Sequence, residues 1–108
     1  MDNESAVPAL AALAHDHRLA VFRLLVQAGA PGRAAGAIAR ALDLPNSSLS
    51  FHLAQLQQSG LVTQRREGRS LIYAADFAAM QALIGFLTEN CCAGADCGVP
   101  RAELDCGV

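Results

Sequence analysis

The sequence lacks both features that would place the protein in or across a membrane. No apolar run approaches the roughly 20 residues that a transmembrane helix needs, although hydrophobic residues make up 53% of the 108. The start, MDNESAVPAL, has acidic residues where a secretory signal has basic ones, and it lacks the long apolar stretch of such a signal. We therefore expect a soluble, cytoplasmic protein of one domain, with a length that permits a dimer without requiring one.

Cysteine is missing from the first 90 residues, and all four cysteines fall in the closing segment NCCAGADCGVPRAELDCGV. In a reducing cytoplasm, clustered cysteines are more often metal ligands or redox-active groups than structural disulfides. The segment has no histidine to act as a base beside a thiol nucleophile, which argues against an enzyme. Its glycines, its proline and its lack of periodicity predict a flexible tail.

Net charge is also small, and its distribution is more informative than its total of −2. Between residues 15 and 75, seven arginines accompany only three acidic residues, which gives a local balance of +4. Both ends of the chain are acidic. A basic middle between acidic ends is typical of a chain whose centre reads DNA, and a randomly mixed surface is the alternative.

Hydrophobic spacing predicts three helical regions in the first 60 residues. The stretch ALAALAHDHRLAVFRLLVQAG predicts one long helix or two abutting helices that stop at Gly29, and AAGAIARALDL predicts a shorter one. Pro45 and Asn46 break the chain. Asn46 or Ser47 is expected to cap the next helix, SSLSFHLAQLQQS, which ends at Gly60.

After Gly60 the period changes to two. LVTQRR and RSLIYAA predict a β-hairpin with a tight turn at Glu67-Gly68. DFAAMQALIGFLTEN predicts a final helix capped by Asp76. Its apolar surface is wider than one stripe, so we expect it to face both its own core and a second subunit. The chain as a whole is predicted to be mainly α, a dimeric winged helix-turn-helix with a β-hairpin wing.

The second helix of this unit has a predictable outer face. With Leu49 at the centre of the buried face, Leu53 and Leu56 lie beside it. The residues that point away are Ser47, Phe51, Ala54, Gln55 and Gln58. A phenylalanine among serines and glutamines suits a DNA major groove, where it can touch a thymine methyl while glutamine pairs with adenine.

Two groups of residues are therefore predicted to contact DNA. The helix supplies Ser47, Ser48, Phe51 and Gln55, and the wing supplies Arg65, Arg66 and Arg69 for phosphate or minor-groove contact. Protection of a strand edge is the alternative role of the arginines. His52 is a further candidate, although its position near the buried flank fits a packing residue equally well. His15 and His17 are two apart on a predicted helix and should face different sides, which argues against a metal pair.

Taken together, LAALAHDHRLAVFRLL, SSLSFHLAQLQQSGLV and RREGRSLIYA resemble the bacterial ArsR/SmtB metalloregulators over residues 9–90. The resemblance implies a homodimeric transcriptional repressor that stays on double-stranded operator DNA until an inducer binds. Residues 1–90 would then form the DNA-binding and dimerisation domain, and residues 91–108 the inducer-binding tail.

The resemblance also bears on the inducer. Many arsenic sensors of the family have a Cys-Val-Cys group on the helix before the turn, but AAGAIARALDL has no cysteine. Its zinc sensors place Asp and His ligands on the last helix, where this chain offers Asp76 and no later histidine. The adjacent pair Cys91-Cys92 is similar to members that hold trivalent arsenic near the C-terminus. We expect trivalent arsenic or antimony, with no organic cofactor, held by Cys91, Cys92 and Cys97, and with Cys106 as an alternative ligand.

Other interpretations of the four cysteines stay open. They could hold zinc, although no rigid knuckle is evident, or another soft metal. They could form a redox switch, although a disulfide between neighbouring residues would be strained. The chain could also be a thiol-rich metal-binding protein whose helix-turn-helix contacts protein, or its tail could carry cysteines without a function.

Overall fold

The computed structural model describes residues 1–94, and within them the N-terminal stretch folds as two helices rather than one. Helix α1 spans Asn3–Leu13 and helix α2 spans Asp16–Ala28. His15 separates them because its backbone is extended, with φ −156° and ψ 133°. Its side chain caps α2 by accepting a hydrogen bond from the backbone N–H of His17.

Helix α1 begins before the apolar repeat that predicted it. The sequence indicated a start near Ala9, whereas the helix begins at Asn3 and accommodates Pro8. Asp2 caps it by accepting a hydrogen bond from the backbone of Ser5, and this bond lowers the pKa of the Asp2 carboxyl. The buried side chains of α1 are alanines. Because small residues carry this face, the spacing of large apolar residues did not reveal its first turns.

The helix-turn-helix consists of α3, Ala35–Leu42, and α4, Asn46–Gln58. Asp43 ends α3 in the left-handed conformation, with φ 53°. The predicted cap of α4 by Asn46 or Ser47 is wrong, because Pro45 occupies the N-cap position and no side chain caps the helix there. The ring fixes φ of Pro45 at −60°, and its ψ of 145° keeps the residue extended, so helical geometry starts at the very next residue.

The wing is an antiparallel hairpin of β2, Val62–Glu67, and β3, Ser70–Ala75. Its pairing continues to the last residue of β2, so the loop is Gly68 and Arg69 rather than the predicted Glu67-Gly68. Gly68 has φ 62°, while Arg69 is not among the residues with positive φ. A positive φ at the first loop position alone is the pattern of a type II′ turn.

A third strand, β1, which the sequence did not predict, comprises only Arg33–Ala34 and pairs with β3 on the side opposite β2. Gly32 precedes it with φ 68°. A Cβ atom at Gly32 would lie 2.3 Å from the carbonyl oxygen of Tyr73, so only glycine allows this approach. Two residues are too few for an alternating pattern, which explains why the strand was missed.

The last helix, α5, spans Phe77–Leu87 and begins as predicted, with Asp76 accepting a hydrogen bond from the backbone of Ala79 at 3.0 Å. One apolar core joins the helices and the hairpin. Its largest fully buried side chains are Val21, Leu25, Ile38, Leu49, Leu53, Leu56 and Leu61. Three of these lie on α4, so packing fixes which face of α4 looks outward. None of the helices in residues 1–94 has the length and apolar character needed to cross a bilayer.

Candidate nucleic-acid interface

Helix α4 has one face in the core and one face open to a ligand, as its sequence predicts. Leu49, Leu53 and Leu56 are each at most 1% exposed, whereas Phe51 is 58% exposed. The other exposed members of the predicted outer face are Ser47, Ala54 and Gln58. Leaving a large aromatic ring in water sacrifices the free energy that its burial would provide. The ring is therefore a natural contact point for a ligand.

The polar residues of this surface are less uniform. Ser47 is exposed, while Ser48 and Gln55 are half-buried. Gln55 lines a groove of about 390 Å³ between α1 and α4, together with Pro8 and Arg18. Hydroxyl and amide groups beside an exposed ring offer both hydrogen bonds and apolar contact to base edges. The assignment of Ser47, Ser48, Phe51 and Gln55 to DNA contact stays a prediction.

Within the wing, Arg65 is engaged by the protein itself. Its Nη2 donates to the carbonyl oxygen of Pro31 at 2.7 Å, and its Nε donates to Oε2 of Glu67 at 2.7 Å. The bond to Pro31 fastens the wing to the loop between α2 and β1, whereas the ion pair with Glu67 lies within β2. Arg66 and Arg69 are exposed near the tip of the hairpin. The structure thus separates an arginine that braces the wing from two that are exposed at its tip, and their contact with phosphates stays a prediction.

His52 lies inside the structure rather than on the outer face of α4. It is 6% exposed, and the centroid of its ring is 4.7 Å from that of His15 and 5.5 Å from that of His17. Burial lowers the pKa of His52, and the charges of His15, Arg18 and His17 lower it further. This position fits the packing alternative, and it does not favour a direct contact between His52 and a base.

The prediction that His15 and His17 face different sides of a helix is wrong. Their ring centroids are 5.5 Å apart, because His15 is the extended cap residue and lies outside the regular helix. One ligand atom from each of His15, His17 and His52 falls within 4.8 Å of the others. Sequence spacing could not reveal this cluster, because tertiary packing of α4 against α2 brings His52 to the other two.

Only two of the four predicted thiol ligands belong to the described residues. Cys91 and Cys92 are exposed, and their Sγ atoms are 3.6 Å apart. They lie in a short 3₁₀ segment, Cys91–Gly94, in which Cys92 has φ 56°, so this segment is a turn rather than a regular helix. Cys97 and Cys106 lie outside the described residues.

An apolar groove of about 360 Å³ runs between α2 and α5. Its apolar lining includes Leu19, Phe22, Val26, Met80, Leu83 and Ile84. Exposed apolar side chains occur on the same helices and on α1: Val7, Leu10, Leu19 and Leu87 are 40–62% exposed. Exposed apolar side chains beside an apolar groove are typical of an interaction surface. It includes α5, the helix that the sequence assigns to a second subunit.

Known proteins are similar to this chain in sequence and in fold. A family model described as a helix-turn-helix domain matches residues 13–65. The chain is 33% identical to the HTH-type transcriptional regulator YgaV from Escherichia coli, over 82% of this chain and 88% of that protein. Both matches include the whole of α4.

Solved structures agree. One is the solution structure of a homodimeric winged helix-turn-helix DNA-binding domain from Mycobacterium bovis, described as a possible ArsR-family transcriptional regulator. It has a TM-score of 0.64 and 31% identity, and the match covers 81% of each chain. An ArsR-like transcriptional regulator from Rhodococcus has a TM-score of 0.71 and 26% identity, and the match covers 83% of this chain and 81% of that one. The chain therefore belongs to the ArsR family of winged helix-turn-helix transcriptional regulators, which bind DNA and are not enzymes.

Proposed function

We propose that this chain is a homodimeric repressor that leaves its operator when trivalent arsenic or antimony binds to thiolates near its C-terminus. The observation that carries the choice of inducer is the pair Cys91 and Cys92, exposed and with Sγ atoms 3.6 Å apart, shortly after α5. Soft centres prefer soft thiolate ligands, and two sulfurs at this separation can share one such centre. Cys97 supplies the third sulfur.

The outer face of α4 and the wing support operator binding. The ring of Phe51 makes apolar contact in the major groove, and the amide of Gln55 hydrogen-bonds to a base edge. Arg66 and Arg69 neutralise phosphates. A dimer presents two copies of this surface. Its recognition helices should meet two half-sites about one DNA turn apart, roughly 34 Å, so the operator should have two-fold symmetry.

The apolar surface of α1, α2 and α5 supports a second copy of this chain as the partner. Leu19 lines the groove beside α5 and is exposed, and Leu87 is exposed at the end of α5, so water would surround these side chains without a partner. The similar domain from Mycobacterium bovis is a homodimer. A symmetric dimer buries the same patch on both subunits, so one apolar patch is sufficient.

Helix α5 connects the two proposed sites. Met80, Leu83 and Ile84 line the groove, and the same helix leads into the turn that contains Cys91 and Cys92. An arsenic centre that ties these thiolates together would hold the end of α5 in one conformation. It would thereby bias the relative orientation of the subunits, a coupling of typically about 1–3 kcal/mol.

The test is a gel shift on a symmetric DNA site selected from random sequence by the full-length protein under reducing conditions. Separate samples receive arsenite, or hydrogen peroxide without reductant. We expect arsenite to release the DNA and peroxide to leave the complex intact. Release by peroxide but not by arsenite would favour the redox alternative. Failure to select any site would favour a thiol-rich protein without an operator.

A further inference from the structure

All three histidines of the chain meet at one place, on the inner side of the recognition helix. His15 and His17 come from the start of α2, and His52 comes from the middle of α4. One ligand atom of each lies within 4.8 Å of the other two. We propose that His15, His17 and His52 form a binding site for a divalent transition-metal cation of the zinc type, separate from the C-terminal thiols.

The donor set fits this class of cation. Imidazole nitrogens are preferred ligands of zinc and its neighbours, and three histidines with one open position are an established zinc arrangement. His15 and His17 are exposed, so a cation can enter from solvent and keep a water as its fourth ligand. His52 is 6% exposed and closes the site from the protein side.

His52 provides an independent sign of a ligand. Its Nδ1 is buried and makes no hydrogen bond with any described residue. Buried ring nitrogens ordinarily have a partner, and coordination through this atom would provide one.

The three histidine side chains need to move only modestly to bind a zinc ion. Zn–N bonds of about 2.0–2.1 Å in tetrahedral geometry bring ligand nitrogens to about 3.4 Å from each other. The ligand atoms now lie within 4.8 Å, and the two exposed side chains can close the difference while His52 stays in the core. Arg18, whose charge acts on His52, opposes a cation here and should limit its affinity.

Binding would also change the start of α2. Nδ1 of His15 now accepts a hydrogen bond from the backbone N–H of His17 at 3.1 Å. If the metal binds Nδ1, it takes that lone pair. If it binds Nε2, the ring proton must move to Nδ1, which then cannot accept. In both cases the cap of α2 is lost, so the cation competes with local helix capping.

The site also touches the DNA-reading surface. The ring of Phe51 meets that of His52 edge to face, with centroids 5.7 Å apart and an interplanar angle of 67°. A cation that holds His52 to α2 would therefore restrict the ring on which Phe51 rests. Metal at this site acts directly on the recognition helix, without involving α5 or the tail.

Isothermal titration with zinc chloride tests the site in the full-length chain with all four cysteines changed to serine, which removes thiolate binding. We expect one zinc ion per chain, an affinity about tenfold or more weaker in His17→Gln, and unchanged affinity in the control Gln57→Ala, which changes an exposed, uncharged residue of α4 outside the cluster. His15→Asn offers a second variant, because asparagine can still cap α2 while lacking the imidazole. No saturable binding by the cysteine-free chain, or an affinity in both histidine variants equal to that of the chain that keeps all three histidines, would overturn the proposal.

A second measurement avoids substitution of the buried residue. In ¹H–¹⁵N spectra of the imidazole nitrogens of the cysteine-free chain, zinc should shift one nitrogen of each of the three rings with the same stoichiometry. Shifts of His15 and His17 alone would mean that His52 is not a ligand and would overturn the three-histidine site. Because the variant has no thiols, either result is independent of the response to arsenite.

Discussion

At the scale of the residue, neighbours on α4 have opposite environments and hence different roles. Phe51 is 58% exposed and His52 is 6% exposed, although they are adjacent in the chain. A helix turns by about 100° per residue, so one step is enough to move a side chain from the outer face to the flank of the core. The outer face of α4 is therefore open to a ligand, for which we propose DNA, whereas His52 packs between α4 and α2.

The base-reading role of Gln55 can be tested against another glutamine of the same helix. We expect Gln55→Ala to reduce discrimination between operator and mismatched DNA by about 1–3 kcal/mol, because its amide no longer pairs with a base. Gln57→Ala is the matched control, since Gln57 is exposed and lies outside the predicted reading surface. Competition binding with single-base operator variants measures both. Equal discrimination in the two variants would remove Gln55 from base readout.

At the scale of the element, the wing is held in place from both sides. Strand β1 pairs with β3, and Arg65 of β2 bonds to the carbonyl oxygen of Pro31 in the loop before β1. The hairpin is therefore attached to the body near the helix-turn-helix. This attachment orients the tip, where Arg66 and Arg69 are exposed.

The two neighbouring arginines of β2 should respond differently to substitution. Arg66→Ala should weaken binding to all DNA sequences and reduce the slope of log affinity against log salt by about 1, because one phosphate contact is lost. Arg65→Ala should lower the free energy of unfolding by about 1 kcal/mol, since its bonds are partly exposed to solvent. Salt-dependent anisotropy and urea unfolding measure these effects. An unchanged salt slope in Arg66→Ala would contradict the phosphate contact.

Gly32, which precedes β1, should tolerate a side chain poorly. Gly32→Ala places a Cβ 2.3 Å from a backbone oxygen at φ 68°, and the positive φ alone costs about 1–3 kcal/mol. Gly36→Ala is the control, because Gly36 is helical and its nearest added contact is the flexible end of Arg40 at 3.5 Å. It should stabilise α3 by up to about 1 kcal/mol. Urea midpoints that move in the same direction for both variants would contradict this account.

At the scale of the whole molecule, the sequence predicted what depends on local periodicity and missed what depends on tertiary contact. Helices α3, α4 and α5 and the hairpin followed from apolar spacing and turn residues, as did the exposure of Phe51. The histidine cluster did not, because His52 joins His15 through the packing of two helices. Likewise, the bond between Arg65 and the carbonyl oxygen of Pro31 could not be predicted, because the two residues are 34 positions apart in the chain.

We predict that the third thiol ligand in the tail is Cys97 rather than Cys106. From Cys92 the chain runs five steps to Cys97 and fourteen to Cys106. The longer loop closes with a penalty greater by about 0.9 kcal/mol, roughly a fivefold disadvantage. We expect Cys97→Ser to impair release of DNA by arsenite badly and Cys106→Ser to leave it nearly normal. Gel shifts under reducing conditions compare them, and the reverse order would make Cys106 the ligand.

The central claim is that arsenic at Cys91 and Cys92 weakens DNA binding while the protein stays folded. Its most direct test is arsenite titration of the protein bound to labelled operator, followed by fluorescence anisotropy, with far-UV circular dichroism recorded on the same samples. The wild-type chain should release the operator with an unchanged dichroism spectrum, whereas Cys91→Ser and Cys92→Ser should bind the operator normally and keep it. The account would be contradicted if either serine variant released the operator at the arsenite concentration that releases the wild-type chain. Loss of the helical signal together with release of the operator would also contradict it.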